Sequence, residues 1–289
     1  MPTATILFDF DPLLRLSEGI VVRWQTVALV AVIAAGLIAA GLIARREGLR
    51  SDDLLFIAVA TVPGAVVGGR IGYVLLHLDY YGANTTAILD PGQGSLELSL
   101  AVVGGLLSGS YVAALLGAPL GRWMRAATLP LLFMLGAGKL TMVLGAAGQG
   151  LPADLAWATA YAGPGPWGSL AAGLPSHPAQ AYEGLGTLVL LLSLTLALAT
   201  GAFEARDGRL LLVGIGGWAV VRALASLAWR DPVVFAGLGV AGLLAAAIAI
   251  GAGLAYIMVT RRRAGSNREE ATEGAREVTW ADPEARPRF

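Results

Sequence analysis

Seven apolar runs, each about 20 residues long, recur from end to end of this 289-residue chain. They lie near 20–44, 54–77, 97–117, 123–147, 178–199, 209–229 and 233–260. About 20 residues is the length of helix that crosses ~30 Å of hydrocarbon. Alternation at period two is absent and the runs are too long for barrel strands, so helices satisfy the backbone inside the bilayer. A composition of 56% hydrophobic and 14% charged residues, with mean hydropathy +0.69, excludes an ordinary soluble domain. The predicted fold class is an all-α integral membrane protein with seven transmembrane helices.

The arginines set its predicted orientation. Arg45, Arg46 and Arg50 follow the first run, Arg122 and Arg125 separate the third from the fourth, and Arg206 and Arg209 separate the fifth from the sixth. Arg261, Arg262 and Arg263 close the seventh, whereas the connections 78–96 and 148–176 hold no Lys or Arg. The positive-inside rule then places the N-terminus outside and the C-terminus in the cytoplasm. No Lys or Arg precedes Arg15, and Asp9 and Asp11 interrupt the first apolar residues. That is no signal peptide's basic start, so the first span is expected to stay in the mature protein. Residues 1–263 form one membrane domain, and the charged stretch 264–289 reads as a disordered cytoplasmic tail. With no cysteine in the chain, disulfides, thiolate metal sites and a cysteine nucleophile of its own are excluded.

Three cations break the apolar runs. Arg70, Lys139 (the only lysine) and Arg222 fall on three separate spans. A charge at mid-bilayer costs about 2.5–3.5 kcal/mol even on insertion scales. Together they point to a shared anionic ligand inside the membrane, for which a phospholipid head group is the natural fit. In Gly68-Gly69-Arg70-Ile71-Gly72-Tyr73 the glycines let a neighbouring helix approach and leave the guanidinium room to reach inward. Its planar fork matches phosphate oxygens, or else it pairs with a buried acid or with helix carbonyls. Gly104 and Gly105, with Ser108 and Gly109 beyond, read as helix packing or as backbone close to a ligand. Lys139 lies among Gly136, Gly138, Gly145, Gly148 and Gly150, so the helix is expected to turn irregular after it. Its ammonium suits a phosphate as a point charge, or a base if desolvated.

His177-Pro178-Ala179-Gln180-Ala181-Tyr182-Glu183 opens the fifth span. Pro178 and Gln180 suit a helix start without any chemistry. Glu183 enters the membrane as a carboxylate and needs a partner, with Arg70 or Arg222 the candidates. His177 is a possible acid or base. Trp218, Arg222 and Ser226 are spaced four apart and share a helix face. His77 and Glu97, at the edges of loop 78–96, read as ordinary interfacial polar residues.

These pieces, in this order, resemble the bacterial prolipoprotein diacylglyceryl transferase family along most of the membrane domain. The resemblance rests on Asp11-Pro12, Arg23-Trp24, the GGRIGY of 68–73, the GGL of 104–106, a glycine-flanked cation in span four, the HPAQAYE heptad of 177–183, and Arg222 before the Arg230-Asp231-Pro232 turn. The chain departs from the family pattern at Val103 (His in the family), Lys139 (Arg), Met142 (Asn), Ala147 (an acid), Gln25 (Tyr), Trp218 (Tyr) and Ser226 (an acid).

The resemblance implies transfer of a diacylglyceryl group from phosphatidylglycerol to the lipobox cysteine of a preprolipoprotein, in the bacterial inner (plasma) membrane. Arg222, Lys139 and His177 are then the catalytic candidates. Arg70, Lys139, Arg222, Gly104 and Gly105 would hold the lipid phosphate, and Gln180, Tyr182, Glu183 and Tyr73 would support them. Deprotonation of the thiol would fall to His177 or to a neutral Lys139. No cofactor, metal or nucleic-acid partner is implied. A non-catalytic relative that keeps the phospholipid site as a binding or scaffold module is the alternative, with a transporter third.

Overall fold

A computed structural model of the chain describes residues 5–281, apart from 91 and 93, with side chains to residue 265. Seven helices long and apolar enough to cross a membrane appear among the described residues. They are α1 (Trp24–Arg46), α2 (Ser51–Leu76), α4 (Leu98–Leu115), α5 (Leu120–Thr141), α6 (Ala179–Ala199), α7 (Arg209–Ser226) and α8 (Val240–Ala281), with a short α3 (Leu78–Ala83) between α2 and α4. The chain is a multi-pass membrane protein. Many of its large apolar side chains, such as Ile38, Leu55, Leu107 and Ile250, are exposed, as expected of a lipid-facing surface. Close packing of Leu132, Leu194, Leu210, Trp218 and Ala219 forms the interior of α5, α6 and α7.

Local chemistry fixes the helix ends. Asp52 and Asp53 sit in the first turn of α2, and Arg45 and Arg46 in the last turn of α1, where each complements the helix dipole. The Glu97 carboxylate caps α4, accepting from the backbone N–H of Ser99 at 2.7 Å and of Leu100 at 2.8 Å. After Thr141, α5 tightens into a 3-10 turn, Met142–Gly145, and ends at Ala146 with φ 58. The irregularity expected beyond Lys139 is therefore present.

Three boundaries differ from the sequence reading. Ile20–Arg23 is strand β3, paired antiparallel with β2 (Leu13–Ser17), so the first span starts only at Trp24. Residues 233–239 form a turn after Pro232, with Ala236 and Gly237 at positive φ, and α8 begins at Val240. The same helix continues to Ala281, into the stretch expected to be disordered. That stretch is rich in Ala, Arg and Glu, good helix formers. Residues 282–289 lie outside the described residues.

One end of the bundle carries the long loops. There β1 (Ile6–Phe8) pairs in parallel with β4 (Thr159–Tyr161). The Phe8 ring stacks on Tyr161 at 5.1 Å, and Trp167 leans on Tyr161 at 5.0 Å. This aromatic cluster ties the N-terminal segment to the 148–176 loop, so the two form one cap. The opposite end carries the arginines. Glu47 pairs there with Arg206 at 2.9 Å, and Asp207 with Arg209 at 2.8 Å and Arg263 at 3.0 Å.

Candidate active site

Arg222 lies on the buried face of α7 with Trp218 and Ser226, as the fourfold spacing requires, and is 4% exposed. A buried guanidinium needs acceptors, and two other helices supply them. Its Nη1 donates to Glu183 of α6 at 2.7 Å, its Nη2 to Glu97 at 3.0 Å, and its Nε to Ser99 Oγ of α4 at 2.8 Å. The second oxygen of Glu183 faces Lys139 Nζ of α5 at 3.0 Å. The result is a quartet of two cations and two carboxylates drawn from α4, α5, α6 and α7. Trp229 closes one side, its ring centre 4.7 Å from the Arg222 guanidinium carbon and 5.4 Å from Lys139 Nζ.

The quartet is not saturated. A guanidinium carries five N–H donors and an ammonium three; the contacts above use three of the first and one of the second. Both cations also line a cavity of about 610 Å³ under the cap, with Glu97, Tyr73, His77 and Gln25 on its wall. An anion entering this cavity meets two cations with donors in hand. Burial of the two cations places them in surroundings of lower dielectric than water, which strengthens the attraction.

Arg70 is not part of this group, contrary to the expectation of a three-cation clamp. Its Nε donates to Ile88 O at 2.6 Å, and its Nη2 to Ala87 O at 2.6 Å and Asp90 O at 3.1 Å. The physical reason is the 3-10 turn Thr85–Leu89, whose carbonyls need donors. Arg70 supplies them and lines a second, apolar cavity of about 550 Å³ with Val67, Ile71 and Leu89. Gly104 and Gly105, expected beside the phosphate, pack against α2. A Cβ on Gly104 would collide with the backbone of Gly64, and one on Gly105 would come within 3.3 Å of Thr61 O. The glycines let α2 and α4 touch backbone to backbone.

The heptad divides. Glu183 joins the quartet, while His177 turns away: its Nδ1 contacts Tyr182 Oη at 3.2 Å, and that hydroxyl accepts from Trp157 Nε1 at 2.8 Å. Neither His177 nor Tyr182 lines the large cavity. Pro178 precedes the first turn of α6, so the local geometry aims His177 at the cap. Gln180 is fully buried beside Tyr161. Burial pushes the Tyr161 phenol up to about 12, although Gln180 and Thr159 stand beside it and pull the other way. None of these three side chains closes a hydrogen bond of good geometry through its polar end.

Two site residues escaped the sequence reading. Glu97 and His77 look interfacial because each sits at the edge of an apolar run. For Glu97 one signal was available: an acid just before a helix start is an N-cap candidate. Its pairing with Arg222 needed the tertiary fold.

The fold and site together define a seven-span membrane protein with a buried, partly unsatisfied cation pair lining a cavity beneath its loop-rich cap. Comparison with known proteins makes this specific. The family description "Prolipoprotein diacylglyceryl transferase" matches residues 12–259. A phosphatidylglycerol–prolipoprotein diacylglyceryl transferase of Nitrobacter hamburgensis is 31% identical, over 88% of this chain and 89% of the relative. Another so named, from Methylocella silvestris, is 30% identical over 91% and 98%. A third, from Clostridioides difficile, is 23% identical over 87% and 96%. The chain belongs to the prolipoprotein diacylglyceryl transferase family, and the family is one of enzymes.

Proposed function

We propose that this chain moves the diacylglyceryl group of phosphatidylglycerol, or of another anionic phospholipid, onto the lipobox cysteine of a preprolipoprotein. The loop-rich end faces outward from the bacterial inner membrane. The observation that carries the reading is the pairing of Arg222 and Lys139 in one buried cavity with donors left over. The phosphodiester lies on these two groups. A thiolate attacks the glyceryl carbon that bears the phosphate, an S–C bond forms, and the C–O bond breaks. Its electron pair leaves on the phosphate oxygen as glycerol phosphate. Charge grows on the departing phosphate, so fixed cations stabilise the transition state more than the ground state. Glu183 and Glu97 are positioning residues that hold the two cations in place, and Tyr73 and Gln25 shape the cavity. The lipid-exposed surface and the names of the relatives support the choice of donor and acceptor.

The test uses purified protein in vesicles of phosphatidylglycerol or of phosphatidylcholine, with a fluorescent lipobox peptide. A diacylglyceryl mass increment in the first vesicles alone, abolished by Arg222→Ala, is the expected result. No increment with phosphatidylglycerol still bound would make this a lipid-binding relative.

A further inference from the structure

A thiol must lose its proton before it attacks, and the quartet offers no evident acceptor. Both Glu183 oxygens are held by cations, and Glu97 is held by Arg222 and two backbone N–H groups. A carboxylate so engaged is a poor base. The chain has two histidines. His177 is bonded to Tyr182 away from the cavity. His77 follows the last residue of α2 and lines the same cavity as Glu97, Lys139 and Arg222.

The surroundings of His77 assign its tautomer. Its Nδ1 lies 2.9 Å from Tyr73 O. A carbonyl only accepts, so Nδ1 carries the proton in the neutral ring and Nε2 keeps the lone pair. The ring is also stacked on Tyr73, with centroids 4.2 Å apart. Its orientation is thereby fixed from two directions. Among the described residues Nε2 has no hydrogen-bond partner, and the imidazole is exposed at the cavity mouth. The quartet is buried, whereas His77 is the exposed histidine lining the same cavity.

Resting on the transferase reading above, we propose that His77 is the catalytic base, taking the proton of the substrate cysteine at Nε2. The S–H proton passes to Nε2, giving an imidazolium held by Tyr73 O. The thiolate forms the S–C bond as the C–O bond breaks, and glycerol phosphate leaves with the electron pair. The imidazolium then returns its proton to the departing phosphate or to water. Other titratable or charged groups on the same cavity are Tyr73 of α2, Glu97 at the start of α4, Lys139 of α5, and Arg222, Arg230 and Asp231 of α7 and the turn after it. Asp79, two residues on, completes the local set.

The experiment compares wild type, His77→Gln and His177→Gln in the peptide transfer assay as a function of pH. General-base removal costs roughly 10²–10⁴-fold, so His77→Gln should lose at least about 100-fold in kcat near neutral pH. KM for lipid should hold. The variant should also lack the fall in rate on acidification that protonating the imidazole causes. His177→Gln should transfer like wild type. A peptide carrying selenocysteine, ionised at neutral pH without help, should restore His77→Gln to within a few-fold of wild type; a merely structural role would not respond to this change. If His77→Gln transfers at the wild-type rate, or selenocysteine brings no rescue, the assignment of His77 is wrong while the family reaction stands. If wild type itself transfers nothing, the transferase reading fails and this inference falls with it.

Discussion

Arg222 and Glu97 stand 125 residues apart in the chain and 3.0 Å apart in the fold. Glu97 has two tasks, capping α4 and holding the guanidinium, so the start of one span is tied to the last turns of another. Breaking a buried pair by removing one partner costs on the order of 3–5 kcal/mol. Glu97→Gln should therefore lower the unfolding midpoint strongly, and Glu97→Gln with Arg222→Met should cost less than the sum of the two. A double-mutant cycle in detergent reads the coupling directly, and strict additivity would show the pair to be uncoupled.

Lys139 has an ion-pair partner and donors to spare. Lys139→Arg should retain or improve affinity for phosphatidylglycerol, because a guanidinium presents more donors to a phosphate. Lys139→Ala should weaken it by roughly 10-fold or more, the value of a hydrogen bond to a charged group. Lipid titration of the purified variants gives both numbers. Equal affinity in the two would remove Lys139 from the phosphate site.

Arg70 should behave in the opposite way. Its contacts are carbonyls of the 85–90 turn, so Arg70→Ala should destabilise the fold by on the order of 2 kcal/mol or more yet leave lipid affinity near wild type. The two readouts, a melting curve and a lipid titration, must separate. A lost affinity at unchanged stability would restore Arg70 to the phosphate clamp.

The glycine contact between α2 and α4 gives a steric test. Gly104→Ala puts a methyl into the backbone of Gly64, and overpacking of this kind costs about 1–3 kcal/mol. Gly251→Ala on α8 meets nothing within 4 Å and should be neutral or slightly stabilising. Thermal midpoints of the two variants should move in different directions or by clearly different amounts.

Tyr161 makes alkaline stability measurable. Its phenol titrates at about 12 in the fold against 10.0 ordinarily, so folding favours the protonated form. That contribution is complete below pH 10, and it is lost as pH rises from 10 towards 12. Two units correspond to roughly 3 kcal/mol. Tyr161→Phe should lose this alkaline decline and differ little at neutral pH. An unchanged decline in the variant would mean another group causes it.

The spans were legible because hydropathy over 20 residues is a property of composition alone. Arg222 was legible for a related reason: a charge deep inside such a run has to be satisfied within the protein. Glu183 was recognised as needing a cation, and the structure supplies both Arg222 and Lys139. What the sequence could not show is which polar residues reach the same place. Glu97 and His77 sit at run edges, where polar residues are ordinary, and only the packing of α4 against α2 and the reach of Arg222 to the start of α4 bring them to one cavity. The partners of Arg70 were not legible because backbone carbonyls, the same at every residue, leave no trace in the sequence. Gly104 and Gly105 sat in a familiar motif, but their lack of side chain serves the neighbouring helix.

Phosphorus NMR of a single-turnover reaction in phosphatidylglycerol vesicles tests the central claim most directly. With lipobox peptide present, the phosphodiester signal should convert to a phosphomonoester in equal amount to modified peptide. Lys139→Ala and Arg222→Ala should slow or abolish that conversion. A monoester that forms without peptide, or modified peptide without monoester, would contradict transfer through the Arg222–Lys139 site.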